Sequence, residues 1–158
     1  MATDDVSRVV RATRDIDAPA DLIFDLIADP AQQPRWDGND NLAEAAPGQR
    51  VRAVGDVFTT RLTNGQDREN HVVEFEESSC LAWRPAEPGK EPPGHLWRWE
   101  LEALDDTRTR VTHTYDWSEL RDEKRQARAR ATTAEMLSAS LERLAAQAEA
   151  PRSRPEAS

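Results

Sequence analysis

With 158 residues, a net charge of −9 and 37% hydrophobic against 32% charged residues, the chain is long enough for one domain but too short for two ordinary ones, and its core must sit in a few strongly patterned segments. The negative balance repels phosphate backbones and anionic membrane surfaces, which excludes nucleic acid as an expected partner, and no apolar run approaches the ~20 residues of a membrane span. Cys80, the one cysteine, rules out an internal disulfide and fits a reducing compartment; with three scattered histidines it offers no zinc-ligand spacing, so neither metal nor cofactor is expected.

Met1-Ala2-Thr3-Asp4-Asp5 has neither the basic start nor the apolar stretch of a signal peptide, so a cytoplasmic location is expected. Residues 1–6 and 151–158 are polar and aperiodic, and are expected to be disordered around a single domain at 7–150. Its first element, Arg8 to Ile16, reads as a strand. Asp17-Ala18-Pro19 then starts a helix, with proline at the first helical position and Asp21 near the positive end of the dipole. Leu22, Ile23, Leu26 and Ile27 repeat at helical spacing until Asp29-Pro30 stops the helix. Trp36 follows in a proline-bounded connector, where it either plugs one end of whatever the sheet encloses or staples the helix pair.

From Arg50 the pattern turns to strands. Val51 to Val54 is a short candidate, Gly55 breaks it, and Phe58, Thr60 and Leu62 share a face of the strand Val57 to Leu62. Asn64-Gly65 marks a type I′ hairpin, because both residues tolerate positive φ. The return strand is Arg68 to Glu76, and Leu81 to Arg84 is the next. Four prolines and two glycines make 85–94 a loop. Strands from His95 to Leu104 and from Arg110 to Trp117 follow, turned at Asp105-Asp106-Thr107. Through this region alternate positions carry His71-Val73-Phe75, Leu81-Trp83, His95-Trp97-Trp99-Leu101 and Val111-His113-Tyr115-Trp117, and the positions between them are largely charged or polar. A period of two with one bulky face means half-buried strands, so four of the five tryptophans are expected on one side of an antiparallel sheet.

The stretch from Ser118 to about Ala148 reads as one helix, or as a helix with an irregular first turn. Ala127, Ala131, Ala134, Leu137, Leu141, Leu144, Ala145 and Ala148 fall at spacings of three and four, and at ~1.5 Å per residue such a helix runs roughly 45 Å, enough to lie across the sheet. The run from Glu119 to Arg125 reads as a solvated helix start, and its mixed signs argue against an anion site.

The order of strand, two short helices, antiparallel strands and long C-terminal helix resembles the SRPBCC superfamily, START-like and polyketide cyclase/dehydrase-like proteins with the α+β helix-grip fold. The resemblance is carried by Ile16-Asp17-Ala18-Pro19-Ala20-Asp21-Leu22-Ile23-Phe24, by Asp29-Pro30 with Trp36, by Val54-Gly55-Asp56-Val57-Phe58, by Leu81-Ala82-Trp83-Arg84-Pro85 and by Thr114-Tyr115-Asp116-Trp117. It implies a curved antiparallel sheet wrapped around the C-terminal helix, with an apolar cavity between them. The lining implied is Phe58, Phe75, Trp83, Trp97, Trp99, Tyr115 and Trp117 from the sheet, and Ile23, Ile27, Met136, Leu137 and Leu141 from the helices, with Trp36 at one end. No motif carries over a catalytic residue.

Two readings of the aromatic face stay open. Burying six aromatic side chains contributes on the order of tens of kcal/mol before chain entropy is subtracted, so they serve as core without any ligand. Against that, His71, His113, Tyr115 and Thr60 share the tryptophans' phase, and polar groups set in aromatic walls are the general form of a small-molecule site. The expected function is therefore binding of one hydrophobic or aromatic molecule, such as a lipid, isoprenoid or polyketide-like compound, by a monomer or homodimer. The alternatives are a metal-free cyclase or dehydratase using His113 and Tyr115, ~6 to 7 Å apart along one strand, for acid–base chemistry, and a regulatory module with a filled cavity. Cys80 is expected to be an inert, small buried side chain.

Overall fold

Alternation along the chain becomes a seven-stranded antiparallel sheet in the computed structural model, which describes residues 8–37 and 42–149. The strands are β1 (Val9–Ile16), β2 (Leu42–Glu44), β3 (Val57–Leu62), β4 (Asp67–Glu76), β5 (Cys80–Ala86), β6 (Leu96–Asp105) and β7 (Arg108–Asp116), in the spatial order β1-β7-β6-β5-β4-β3-β2. Every neighbour after β1 is a hairpin or meander partner, and the one long-range pairing sets the first strand beside the last. Between β1 and β2 come α1 (Ala20–Ala28), a 3-10 turn (Pro30–Gln32) and α2 (Gln33–Trp36); after β7 come α3 (Glu123–Arg130) and α4 (Ala134–Glu149). This is the helix-grip α+β arrangement. The expected tails at 1–6 and 151–158 lie outside the described residues.

Cross-strand register explains how the bulky face is built. Val10, Tyr115, Trp97 and Trp83 form one row across β1, β7, β6 and β5, and Ala12, His113, Trp99 and Leu81 form the next. Residues directly opposite on one face stand close enough for their side chains to pack, so these rows make a continuous aromatic wall. The charged positions between them face outward, where Arg98 clamps Glu74 through two hydrogen bonds of 2.8 and 2.6 Å and holds that carboxyl below its ordinary range. Cys80 donates to the same carboxylate at 3.5 Å and is half-buried, and desolvation first, then Glu74, pushes its thiol up to about 11, far from a nucleophile.

Four local expectations need correction. Pairing of β4 with β5 shifts between Val72 and Glu74, so Val73 is an extra residue at a bulge. Before it, Asn70 and Val72 face the core and His71 does not; after it, Phe75 packs inward again. Val51 to Val54 is no strand: Val51 is buried with its N–H on the Ala28 carbonyl at 2.9 Å, and Val54 is exposed. The Asn64-Gly65 hairpin has a three-residue loop and not a type I′ turn, since Gly65 takes φ 88° with its N–H on the Leu62 carbonyl at 2.9 Å, while Asn64 keeps negative φ and accepts from the Gln66 N–H at 2.9 Å. A left-handed residue closing a short turn costs least as glycine.

The fourth correction is the C-terminal helix, which is two helices. Thr133 Oγ1 accepts from the Met136 N–H at 3.3 Å, starting α4 afresh after a break at 131–133, and Asp122 caps α3 by accepting from the Lys124 N–H at 2.9 Å. At about 1.5 Å per residue, the 16 residues of α4 span only about 24 Å. Leu137, Leu141, Leu144, Ala145 and Ala148 are buried as the stripe requires, whereas Ala127, Ala131 and Ala134 are exposed and α3 buries only Ala129. The core accordingly divides. One cluster joins α1, α4 and the β1 flank through Ile16, Ile23, Phe24, Val111, Leu141 and Leu144; a smaller one joins Tyr115, Trp117, Leu120, Ala129 and Leu137 under α3.

Candidate functional site

Between the two core clusters the helices leave the sheet uncovered, and a pocket of about 620 Å³ opens there. Its floor is the aromatic wall: Trp83, Trp97, Trp99, His113 and Tyr115, extended by Thr60, Arg68 and Asn70 from β3 and β4. Trp36 and Gln33 close one end, and the segment from Leu120 through α3 to Met136, Leu137 and Ser140 of α4 forms the opposite side. The helix break at 131–133 makes this room, because an unbroken helix would carry its stripe straight over the wall.

The end residues are fixed by hydrogen bonds to α1. Trp36 donates its indole N–H to the Leu26 carbonyl at 2.8 Å, and Gln33 donates to the Ile27 carbonyl at 3.0 Å. The Trp36 N–H thus ties the connector to the end of α1, and its ring meets Trp99 edge-on at 5.0 Å. On the other rim Gly94, at φ 129°, lets the loop before β6 touch the segment before α3, where a Cβ would stand 2.2 Å from the Glu119 carbonyl oxygen. Arg84 donates to the Gly94 carbonyl at 2.6 Å and holds that loop in place.

Polar groups in the wall are neutral. His113 is buried, its ring stacked on Trp99 at 3.6 Å and on Trp97 at 5.4 Å. Desolvation depresses its pKa to about 3, against the small opposing effect of the Arg98 carbonyl 3.3 Å from Nδ1. Burial likewise pushes the Tyr115 phenol up to about 12. His95, beside Tyr115 at 6.0 Å, falls to about 4 through burial and then through the charges of Arg125, Arg68, Arg84 and Arg128. A general acid or base works best with a pKa near the working pH, so at neutral pH these side chains offer hydrogen bonds and not ready proton transfer. The Trp99 indole N–H and His95 Nδ1 are buried without a hydrogen-bond partner, an arrangement that costs about 1 to 3 kcal/mol per group unless something else satisfies it. Among the described residues no group of three histidines, cysteines or carboxylates could hold a metal, and no helix is long and apolar enough to cross a membrane.

Residues 7–149 match the family described as polyketide cyclase / dehydrase and lipid transport. The chain belongs to this family. Similar proteins include an uncharacterised protein of Mycobacterium tuberculosis, 30% identical over 113 residues, a match that takes in 70% of this chain and 47% of the relative. The chain thus spans about half the length of the curated relatives it matches. Among solved structures, a protein from Arthrobacter aurescens superposes with a TM-score of 0.67 at 22% identity, covering 95% of this chain and 91% of that one. DynU16, from the dynemicin biosynthetic locus, gives 0.63 at 20% identity, covering 91% of this chain and 48% of its own. At these identities the structural matches show the fold.

In this member of the family, Trp36, Trp83, Trp97, Trp99, His113, Tyr115, Met136 and Leu137 all face the pocket. The other residues anticipated there do not. Ile23, Ile27, Phe58 and Leu141 are in the larger core cluster and Phe75 packs against it, with Phe75 edge-on to Phe24 of α1 at 5.7 Å and Phe58 edge-on to Trp83 at 5.3 Å. Trp117 lies beyond the end of β7, with the Arg8 and Arg130 guanidiniums over its ring at 4.8 and 5.4 Å. The bulge at Val73 turns His71 off the inner face and places Arg68 and Asn70 there instead. His95, Gln33, Arg68 and the basic residues of α3 were not anticipated as lining; His95 alone carried a signal, being two residues before Trp97 in the same alternation.

Proposed function

We propose that the chain binds one small, largely apolar molecule with a flat or branched body, of the lipid, isoprenoid or polyketide-like kind, in the pocket between the sheet and the α3–α4 junction. The observation that carries this reading is the open space over Trp83, Trp97 and Trp99, closed at one end by Trp36. A site serving only as core would fill the space over those rings with aliphatic side chains, as Leu141, Leu144 and Ala145 fill the space beside Ile16 and Val111. A pocket of about 620 Å³ falls in the usual range for small-molecule sites, and indole faces give large apolar contact at low entropic cost. Affinity then comes from apolar burial, and orientation from Tyr115 and His95.

The test is fluorescence titration with N-phenyl-1-naphthylamine, a neutral aromatic probe that brightens in apolar surroundings. Saturable binding at one site, lost when Met136→Trp fills the pocket, is the expected result. No binding to the unmodified protein, or binding indifferent to Met136→Trp, contradicts the reading.

A further inference from the structure

The signs that alternate along Glu119–Arg125 separate in space. On α3, Lys124, Arg125 and Arg128 stand at successive helical positions facing the pocket, while Asp122 turns back to cap the helix and neither Glu119 nor Glu123 lines it. Opposite them the Val73 bulge brings Arg68 inward from β4. Four cations therefore border one side of an aromatic pocket, in a chain whose net charge is −9. Among the described residues, two carboxylates line the same pocket. Asp37 is at the far end beside Trp36, accepting from the Leu42 N–H at 2.9 Å, and Glu87 pairs with Arg125 at 2.5 Å and with Lys90 at 3.5 Å. Arg125 is also held by Asp122 at 3.2 Å, so it is neutralised.

Arg68, Lys124 and Arg128 form no ion pair among the described residues. Arg68 is half-buried, and its guanidinium donates to the Asp67 carbonyl at 3.0 Å and to the Gln66 amide oxygen at 3.2 Å. Burial and then the charges of Arg125 and Arg128, which line the same pocket, destabilise its protonated form, with Glu87 opposing. Cations that share a partly buried site without ion-pair partners of their own are unfavourable in the unliganded protein and become favourable when an anion lies between them. Beside them, His95 Nδ1 is buried without a partner.

We propose that the bound molecule is an amphipathic acid, with a carboxylate, sulfonate or phosphate head held by Arg68 and Arg128 at the mouth and an apolar body among the indoles. This deepens the binding function proposed above and rests on it. The protein's overall field repels anions, so a preference for the acid must arise locally.

Two probes sharing one aromatic body separate the two ideas: 8-anilino-1-naphthalenesulfonate, the anion, and N-phenyl-1-naphthylamine, its neutral counterpart. The sulfonate is expected to bind roughly ten- to a hundredfold more tightly, as charge-assisted hydrogen bonds to a partly buried anion allow. That ratio is expected to fall with added salt and to collapse toward unity in Arg68→Gln/Arg128→Gln, with Arg68→Lys/Arg128→Lys retaining part of it. Equal affinities for the two probes, or a ratio that survives the glutamine substitutions, overturns the acid-head proposal and leaves the apolar pocket standing. Binding of neither probe removes both.

Discussion

The two ends of α4 meet the same sheet in opposite ways. At its C-terminal half Leu141, Leu144, Ala145 and Ala148 are buried against β1 and α1, among neighbours such as Ile16, Ile23, Phe24 and Val111. At its N-terminal end Met136 and Leu137 face a space floored by indoles, a neutral histidine and a buried N–H with no partner. One helix thus divides the fold into a half that provides stability and a half available to a ligand. The filled flank tolerates little change in volume, while the open flank tolerates change in volume but not in polarity.

Four perturbations break or sharpen this contrast. Gly94→Ala should have the largest effect, on the order of 4 kcal/mol, because the new Cβ meets the Glu119 carbonyl oxygen at 2.2 Å and a φ of 129° strains any L residue. It would pry apart the seam beneath α3 and is read by urea unfolding. Leu144→Ala, in the filled flank, should cost about 3 kcal/mol with little change in probe binding.

Acid comes next. His113 is kept neutral with a pKa of about 3 against an ordinary value of 6.5, so between those values the unfolded chain binds the extra proton and stability rises with pH. Its contribution is fully present above about pH 6.5 and drains away as pH falls toward 3, at up to about 1.4 kcal/mol per pH unit. Urea midpoints measured from pH 7 down to about 5 should show this slope, and His113→Gln should flatten it; an unchanged slope would place the histidine in water. The smallest effect is expected for Met136→Ala, two helical turns from Leu144 and half-buried at the pocket. It should shift stability by less than about 1 kcal/mol yet alter the affinity for N-phenyl-1-naphthylamine.

How much of this could be read from the chain depended on range. The alternation of Trp97, Trp99, His113 and Tyr115 named the wall, because a period of two needs no knowledge of neighbouring strands. The bulge at Val73 was hidden, since the extra residue exists only relative to β5, and one unseen bulge exchanged His71 for Arg68 and Asn70 on the inner face. The break at 131–133 was hidden for a different reason. Helix formers flank it on both sides, and its local signal, Thr132-Thr133 ahead of Glu135, is short enough to be outweighed by the apolar spacing that runs across it. The basic mouth depended on both, and so the mixed signs of Glu119–Arg125 hid a side of one sign.

Trp117 supplies an internal control for the central claim, being as buried as Trp99 but sealed under α3 and two arginines. The most direct measurement is a titration of nitrogen-15-labelled protein with N-phenyl-1-naphthylamine, following the five indole N–H resonances. The Trp99 signal should move furthest, with those of Trp97, Trp83 and Trp36 following and that of Trp117 nearly still. Five stationary signals, or movement confined to Trp117, would contradict a ligand seated on the aromatic wall.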